Sequence, residues 1–143
     1  MKYALTNGII LNGKKDMEPL TGYSIIVEDG RIKEITKNKP TGMKIVDLKG
    51  KYVLPGLINM HVHLPGSGMP KDTKKQNKES VNKLLSFKLT RYIVYKLCAK
   101  YAKTELLSGV TTIRTVGGLS NIDSTIRENI NKGKIKGPRI LAS

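Results

Sequence analysis

Only two histidines, one cysteine and one phenylalanine occur in these 143 residues, and there is no tryptophan. A single cysteine excludes an internal disulfide and suits a reducing compartment. With aromatics at 5 %, core packing has to rest on Ile, Leu and Val. No run approaches the roughly 18 apolar residues of a membrane span. The opening MKYALTNGIILNGKK lacks the apolar core and small-residue cleavage site of a secretory leader. These absences predict a soluble, cytoplasmic chain that does not enter a membrane. Its length has room for one ordinary domain, or for a small domain and the beginning of another.

Acidic residues are also scarce, 11 against 26 basic ones, which leaves a net charge of +15. Such an excess raises the question of nucleic acid directly. The basic residues are 21 Lys and 5 Arg, whereas phosphate and base readers favour the planar fork of Arg. The lysines run from Lys2 to Lys136 rather than forming one patch. Lys83, Lys88, Arg91, Lys96, Lys100 and Lys103 would surround a helix rather than line one face of it. The charge pattern therefore argues against a nucleic-acid or anionic-surface module, which stands as the rival reading.

What is present divides at Pro55-Gly56. Residues 1–55 read as six short strands separated by turns. Asn7-Gly8 and Asn12-Gly13 supply the positive φ angles of tight hairpin turns. GYSIIVEDGRIKEIT is the clearest hairpin, with Asp29-Gly30 as a type I′ turn. KIVDL and KYVL flank another turn at Lys49-Gly50. This is the pattern of a small β-sandwich or barrel-like module.

Residues 56–143 change character. LINMHVHL is almost continuously apolar, which predicts a parallel strand buried on both faces. A loop rich in Pro, Gly and Lys follows. A helix is expected from about Ser80 to Leu107, with Ser80 as its cap and Ser108-Gly109 as its stop. Its apolar stripe is expected to include Leu84, Leu85, Leu89, Tyr92, Ile93 and Leu97. Cys98, among apolar neighbours, reads as a small buried hydrophobe rather than a nucleophile. GVTTIRTVGG predicts a second buried strand, residues 122–131 a helix, and GKIKGPRILAS the start of a third strand. Alternating strands and helices of this kind build parallel sheets. Gly117-Gly118 lacks both the dinucleotide fingerprint and the P-loop lysine, and reads as a tight turn.

Both histidines, His61 and His63, lie on the strand in LINMHVHL. Residues i and i+2 of a strand share a face, so the two rings project together while Met60, Val62 and Leu64 take the other side. They stand at the C-terminal end of the strand, where parallel barrels carry their catalytic groups. Two imidazoles on one face can converge on one ion at roughly 2.0–2.1 Å each. A bare H-x-H also occurs as two strand histidines hydrogen-bonded in a core or at its rim. Two buried rings would need polar partners, and a shared metal ion would satisfy both.

VLPGLINMHVHL, LLSGVTTIRTVGG and GKIKGPRILAS, in that order, resemble the opening of the barrel in the metal-dependent amidohydrolase superfamily. The closest likeness is to its imidazolonepropionase-like branch. The resemblance implies an α/β fold: a small N-terminal β-sandwich, residues 1–55, followed over 56–143 by the first βα units of an incomplete TIM-type (β/α)8 barrel. It implies that His61 and His63 ligate a catalytic divalent metal, usually zinc. The implied reaction is hydrolysis of a carbon–nitrogen bond in a small amide, cyclic amide or peptide-like substrate by metal-activated water. Two positions depart from the family pattern, Asn59 and Thr115, where aspartate is common. Asn59 is expected on the face of the histidines, as a hydrogen-bonding neighbour without charge.

A complete barrel takes roughly 250 residues, and 88 follow Pro55. Catalytic zinc normally has three protein ligands, so two imidazoles would hold it weakly. The expectation is the N-terminal portion of an amidohydrolase, inactive alone and completed by a missing C-terminal barrel portion. A family remnant without catalytic function is the alternative. The sequence leaves homo-oligomerisation open.

Overall fold

The computed structural model describes residues 1–66, 83 and 85–142. The chain divides into two compact units, Met1–Pro55 and Gly56–Ser143.

The first unit contains six strands: β1 (Lys2–Thr6), β2 (Ile9–Ile10), β3 (Ser24–Glu28), β4 (Arg31–Thr36), β5 (Lys44–Asp47) and β6 (Tyr52–Val53). They form a four-stranded sheet in the order β4-β3-β1-β5 and a two-stranded sheet of β2 and β6. The turn between β3 and β4 has positive φ at Asp29 (49°) and Gly30 (76°), the type I′ geometry expected there. Asn7-Gly8, in contrast, does not close a hairpin. β1 pairs with β3 and β5, and β2 pairs in parallel with β6. The Asn7 turn carries the chain from one sheet to the other, and the Lys49-Gly50 turn does the same alongside it.

The two crossings are stitched together. Leu48 donates to the Thr6 carbonyl at 2.8 Å, Gly50 to that of Asn7 at 2.7 Å, and Ile9 to that of Lys51 at 3.0 Å. Asn7 and Lys49 both sit near φ +50° (55° and 51°). Asp47 Oδ1 accepts from the Lys49 backbone at 2.8 Å and from Asn7 Nδ2 at 3.1 Å. Those bonds, the Lys49 one first, hold the Asp47 carboxyl below its ordinary 3.8. Ile10, Ile25 and Val27 form the core of this unit, with Tyr3, Leu5, Leu20, Tyr23 and Val53 packed on it.

In the second unit, β7 (Leu57–Val62), β8 (Val110–Thr115) and β9 (Arg139–Leu141) make a three-stranded sheet in chain order, both pairings parallel. Helix α1 (Lys88–Leu107) connects β7 to β8, and α2 (Ile122–Asn131) connects β8 to β9. This βαβαβ arrangement is the one the strand–helix alternation predicts. α1 ends at Ser108, whose backbone N–H bonds back to Thr104 and Glu105, and Gly109 follows at φ 96°. Ser80, Val81 and Leu84, expected at its start, lie outside the described residues. No helix among the described residues is long and apolar enough to cross a membrane.

The core of this unit comprises Val62, Leu64, Cys98, Ala102, Ile113, Ile122, Ile126 and Ile140. Two expectations are corrected here. β7 is not buried on both faces: Leu57, Ile58 and Met60 are more than half exposed, because the helices pack mainly on β8 and β9 and β8 is the one strand neighbour of β7 among the described residues. On α1 the buried residues are Cys98 and Ala102, with Val94, Tyr95 and Ala99 packed against the core. Leu89, Tyr92, Ile93 and Leu97 are exposed. Small side chains let the helix approach the sheet closely, so the face with Cys98, Ala99 and Ala102 wins over the more hydrophobic one.

Candidate metal centre

The chain enters β7 through Gly56, which meets β8 with no room for a side chain. A Cβ built there would stand 2.1 Å from Thr111 Oγ1 and 2.7 Å from Thr111 Cβ. The register between β7 and β8 shifts twice: Leu57 lies opposite Val110 but Ile58 opposite Thr112, and after Asn59, opposite Ile113, Val62 lies opposite Thr115. Three steps on β7 thus match two on β8, the signature of a β-bulge. Within it, Asn59 Oδ1 accepts the His61 backbone N–H at 3.2 Å. Asn59 lies beside the histidines, on the cleft that they line, and its amide bonds to the His61 backbone rather than to a ring.

Beyond the bulge, Val62 and Leu64 are buried in the core while His61 and His63 point away from it, both exposed. The rings meet edge to face, 5.1 Å between centroids at 68°, with the two Nε2 atoms 3.2 Å apart. That is hydrogen-bond distance for one N–H donating to the other. It is also the separation of two ligands of one ion: donors about 2.0–2.1 Å from a tetrahedral centre stand roughly 3.2–3.4 Å from each other. The donor set, neutral nitrogen of borderline softness, suits zinc and its first-row neighbours. The exposure of both rings replaces the expectation that burial forces a metal on them.

A cleft of about 370 Å³ borders the pair, lined by Asn59, Val62 and Gly66 beside the histidines and by Tyr101, Thr104 and Glu105 of α1. Gly66 donates to the His63 carbonyl at 2.8 Å and turns the chain away from the strand end. On the other side of His63 lies the turn after β8. Gly117 has φ 75°, and a Cβ built on it would stand 3.9 Å from His63 Nδ1. This turn is the neighbour of the site that the sequence left as a plain connection. Among the described residues no three His, Cys, Asp or Glu side chains gather closely enough to hold a metal; His61 and His63 are the pair of candidate ligands brought together here.

Comparison with known proteins identifies the family of the chain. The model of the amidohydrolase family matches residues 52–143, and that of the NagA composite domain matches residues 2–53. A dihydroorotase from Trichlorobacter lovleyi is 40 % identical over 67 residues, covering 43 % of this chain and 16 % of the relative. An allantoinase from Bacillus licheniformis is 37 % identical over 68 residues, covering 45 % of this chain and 14 % of the relative. The crystal structure of a Xaa-Pro dipeptidase with bound methionine in its active site superimposes with a TM-score of 0.74 at 28 % identity, over 100 % of this chain and 33 % of its own. The chain thus spans about a sixth of the length of these curated relatives and a third of that structure.

Proposed function

Because the chain belongs to the amidohydrolase family, whose model matches it over residues 52–143, we propose that His61 and His63 are two ligands of a catalytic divalent metal, zinc on the chemistry of the donors. The observation that carries this reading is the convergence of two exposed Nε2 atoms to 3.2 Å at the C-terminal end of a parallel strand. The enzyme so formed hydrolyses a carbon–nitrogen bond in a small amide, cyclic amide or peptide-like substrate. When bound, the ion supplies Lewis acidity, lowering the pKa of water and polarising the scissile carbonyl.

This chain's own residues prepare for that chemistry. The bulge at Asn59 sets the direction from which both rings leave the strand. Val62 and Leu64 anchor the strand between and behind the histidines in the core. The remaining ligands, and the group that moves the proton of the attacking water, come in this reading from barrel strands other than the three described. We take residues 1–55 as the small β-domain that precedes such a barrel and residues 56–143 as the barrel's first units. The single cysteine supports a cytoplasmic setting.

Equilibrium dialysis of the 143-residue chain against Zn²⁺ tests the assignment. About one zinc per chain is expected only at roughly hundreds of micromolar free metal, as suits two imidazoles, with at least a tenfold loss in His61→Ala and in His63→Ala. The same chain shows no amide hydrolysis, since two ligands do not complete a catalytic site. Zinc uptake that survives both substitutions would remove the histidines from the site.

A further inference from the structure

Asp123 lies in the first turn of α2 and is 4 % exposed. Its Oδ1 has no hydrogen-bond partner among the described residues, which is costly for a buried carboxylate. A negative charge at a helix N-terminus is favourable, yet that explains neither its burial nor what it touches. What it touches is Gly118. A Cβ built on Gly118 would stand 2.8 Å from Oδ2, 2.9 Å from Cγ and 3.2 Å from Oδ1. Gly118, unlike Gly117, does not have a positive φ. It is glycine for space, and the space is taken by the carboxylate.

Gly117 stands next in the chain, near the Nδ1 edge of His63, where a Cβ built on it would stand 3.9 Å away, while the Nε2 edge of that ring faces His61. The order in space is therefore carboxylate, Gly118, Gly117, imidazole. A metal-ligating histidine is oriented by whatever borders its second nitrogen, and that neighbour strongly affects metal affinity. We propose that Asp123 is a positioning residue for His63: its buried carboxylate packs on Gly118 and fixes the Gly117-Gly118 turn against the ring edge away from His61. The effect on metal rests on the reading of His61 and His63 as ligands, whereas the effect on the ring does not.

A double-mutant cycle on the full chain tests both parts. Ring resonances of His63 are recorded by NMR without metal, and zinc affinity is measured by dialysis. Gly118→Ala is expected to displace the turn, shift the His63 resonances and weaken zinc binding about tenfold. In an Asp123→Ala background the same glycine change is expected to add nothing, because the atoms it would meet are gone. His63 signals that stay put in Gly118→Ala, or move equally with and without Asp123, overturn the proposal. If Asp123→Ala does not fold, Gly118→Ala alone still decides, and Asp123→Asn, which keeps the packing, should leave His63 as in the parent. A parent chain that takes up no zinc sinks the ligand reading, while the metal-free His63 signals still judge the turn. A purely helix-capping Asp123 would change thermal stability and leave those signals untouched.

Discussion

Cys98 is fully buried on α1, in the core of the second unit. Burial, with a smaller push from the Asp123 carboxylate, raises its thiol from 9.0 to about 11. A buried thiol with so little thiolate is inert, so disulfide-exchange reagents at pH 8 should label it only as fast as the unit opens. Rapid labelling of the native chain would contradict its place in the core. The sign of the pH effect follows from linkage. Below pH 9 the thiol is protonated in both states and costs nothing. Between pH 9 and 11 the unfolded chain releases the proton and the folded one keeps it. Stability is then lost as pH rises, by roughly 2–3 kcal/mol at most, and levels off above the folded value. Replacing Cys98 by Ala should remove this alkaline slope, read from urea midpoints across that range. The small size that made Cys98 legible as a hydrophobe also lets α1 approach the sheet. Size at a helix face, and not hydrophobicity alone, decided which side of α1 went inward.

At the scale of the element, β7 shows what pattern can and cannot carry. The paired histidines on one side of it follow from a period of two, and the turns at Asp29-Gly30 and Ser108-Gly109 follow from residues with known backbone preferences. The bulge does not: it lies where the Asn59 amide bonds the His61 backbone, and a period of two does not mark it. Burial of the strand departs from its pattern as well: an apolar run fixes what a strand could bury, whereas burial depends on neighbours beyond its own segment. The crossing turns of the first unit were legible as turns, but their strand partners lie tens of residues away and no local signal names them. Gly56 provides the test of how closely β7 is seated. With an ordinary φ and Thr111 Cβ 2.7 Å from the missing side chain, Gly56→Ala has to part the two strands, because rotating Thr111 moves only its outer atoms. Urea unfolding should show a loss of about 1–3 kcal/mol. Gly56→Ala combined with Thr111→Gly should recover most of it. A neutral Gly56→Ala would mean the strand entry is looser than this packing.

At the scale of the whole molecule, the apolar surface left uncovered is large. Leu57, Ile58 and Met60 on β7, with Leu89, Tyr92, Ile93 and Leu97 on α1, are between 40 % and 72 % exposed. On its far side β7 has no strand partner among the described residues, and an unpaired apolar edge templates association. Solved relatives extend to about three times the length of this chain. In the barrel of the proposed function, further strands and helices would cover these residues. Without that cover, burying one such side chain is worth roughly 1.5–3 kcal/mol, enough for a few of them to drive contact between copies. The 143-residue chain is therefore expected to exceed its monomer mass in light scattering at high micromolar concentration and to bind an apolar dye. Ile58→Lys with Met60→Lys should lower both, since two cations on an exposed strand resist pairing with a second positive copy. The charge of +15 opposes association in the same way, so added salt should raise the apparent mass of the parent through screening. A parent that remains monomeric and dark to the dye in both low and high salt would show that the apolar faces of β7 and α1 are covered within one chain.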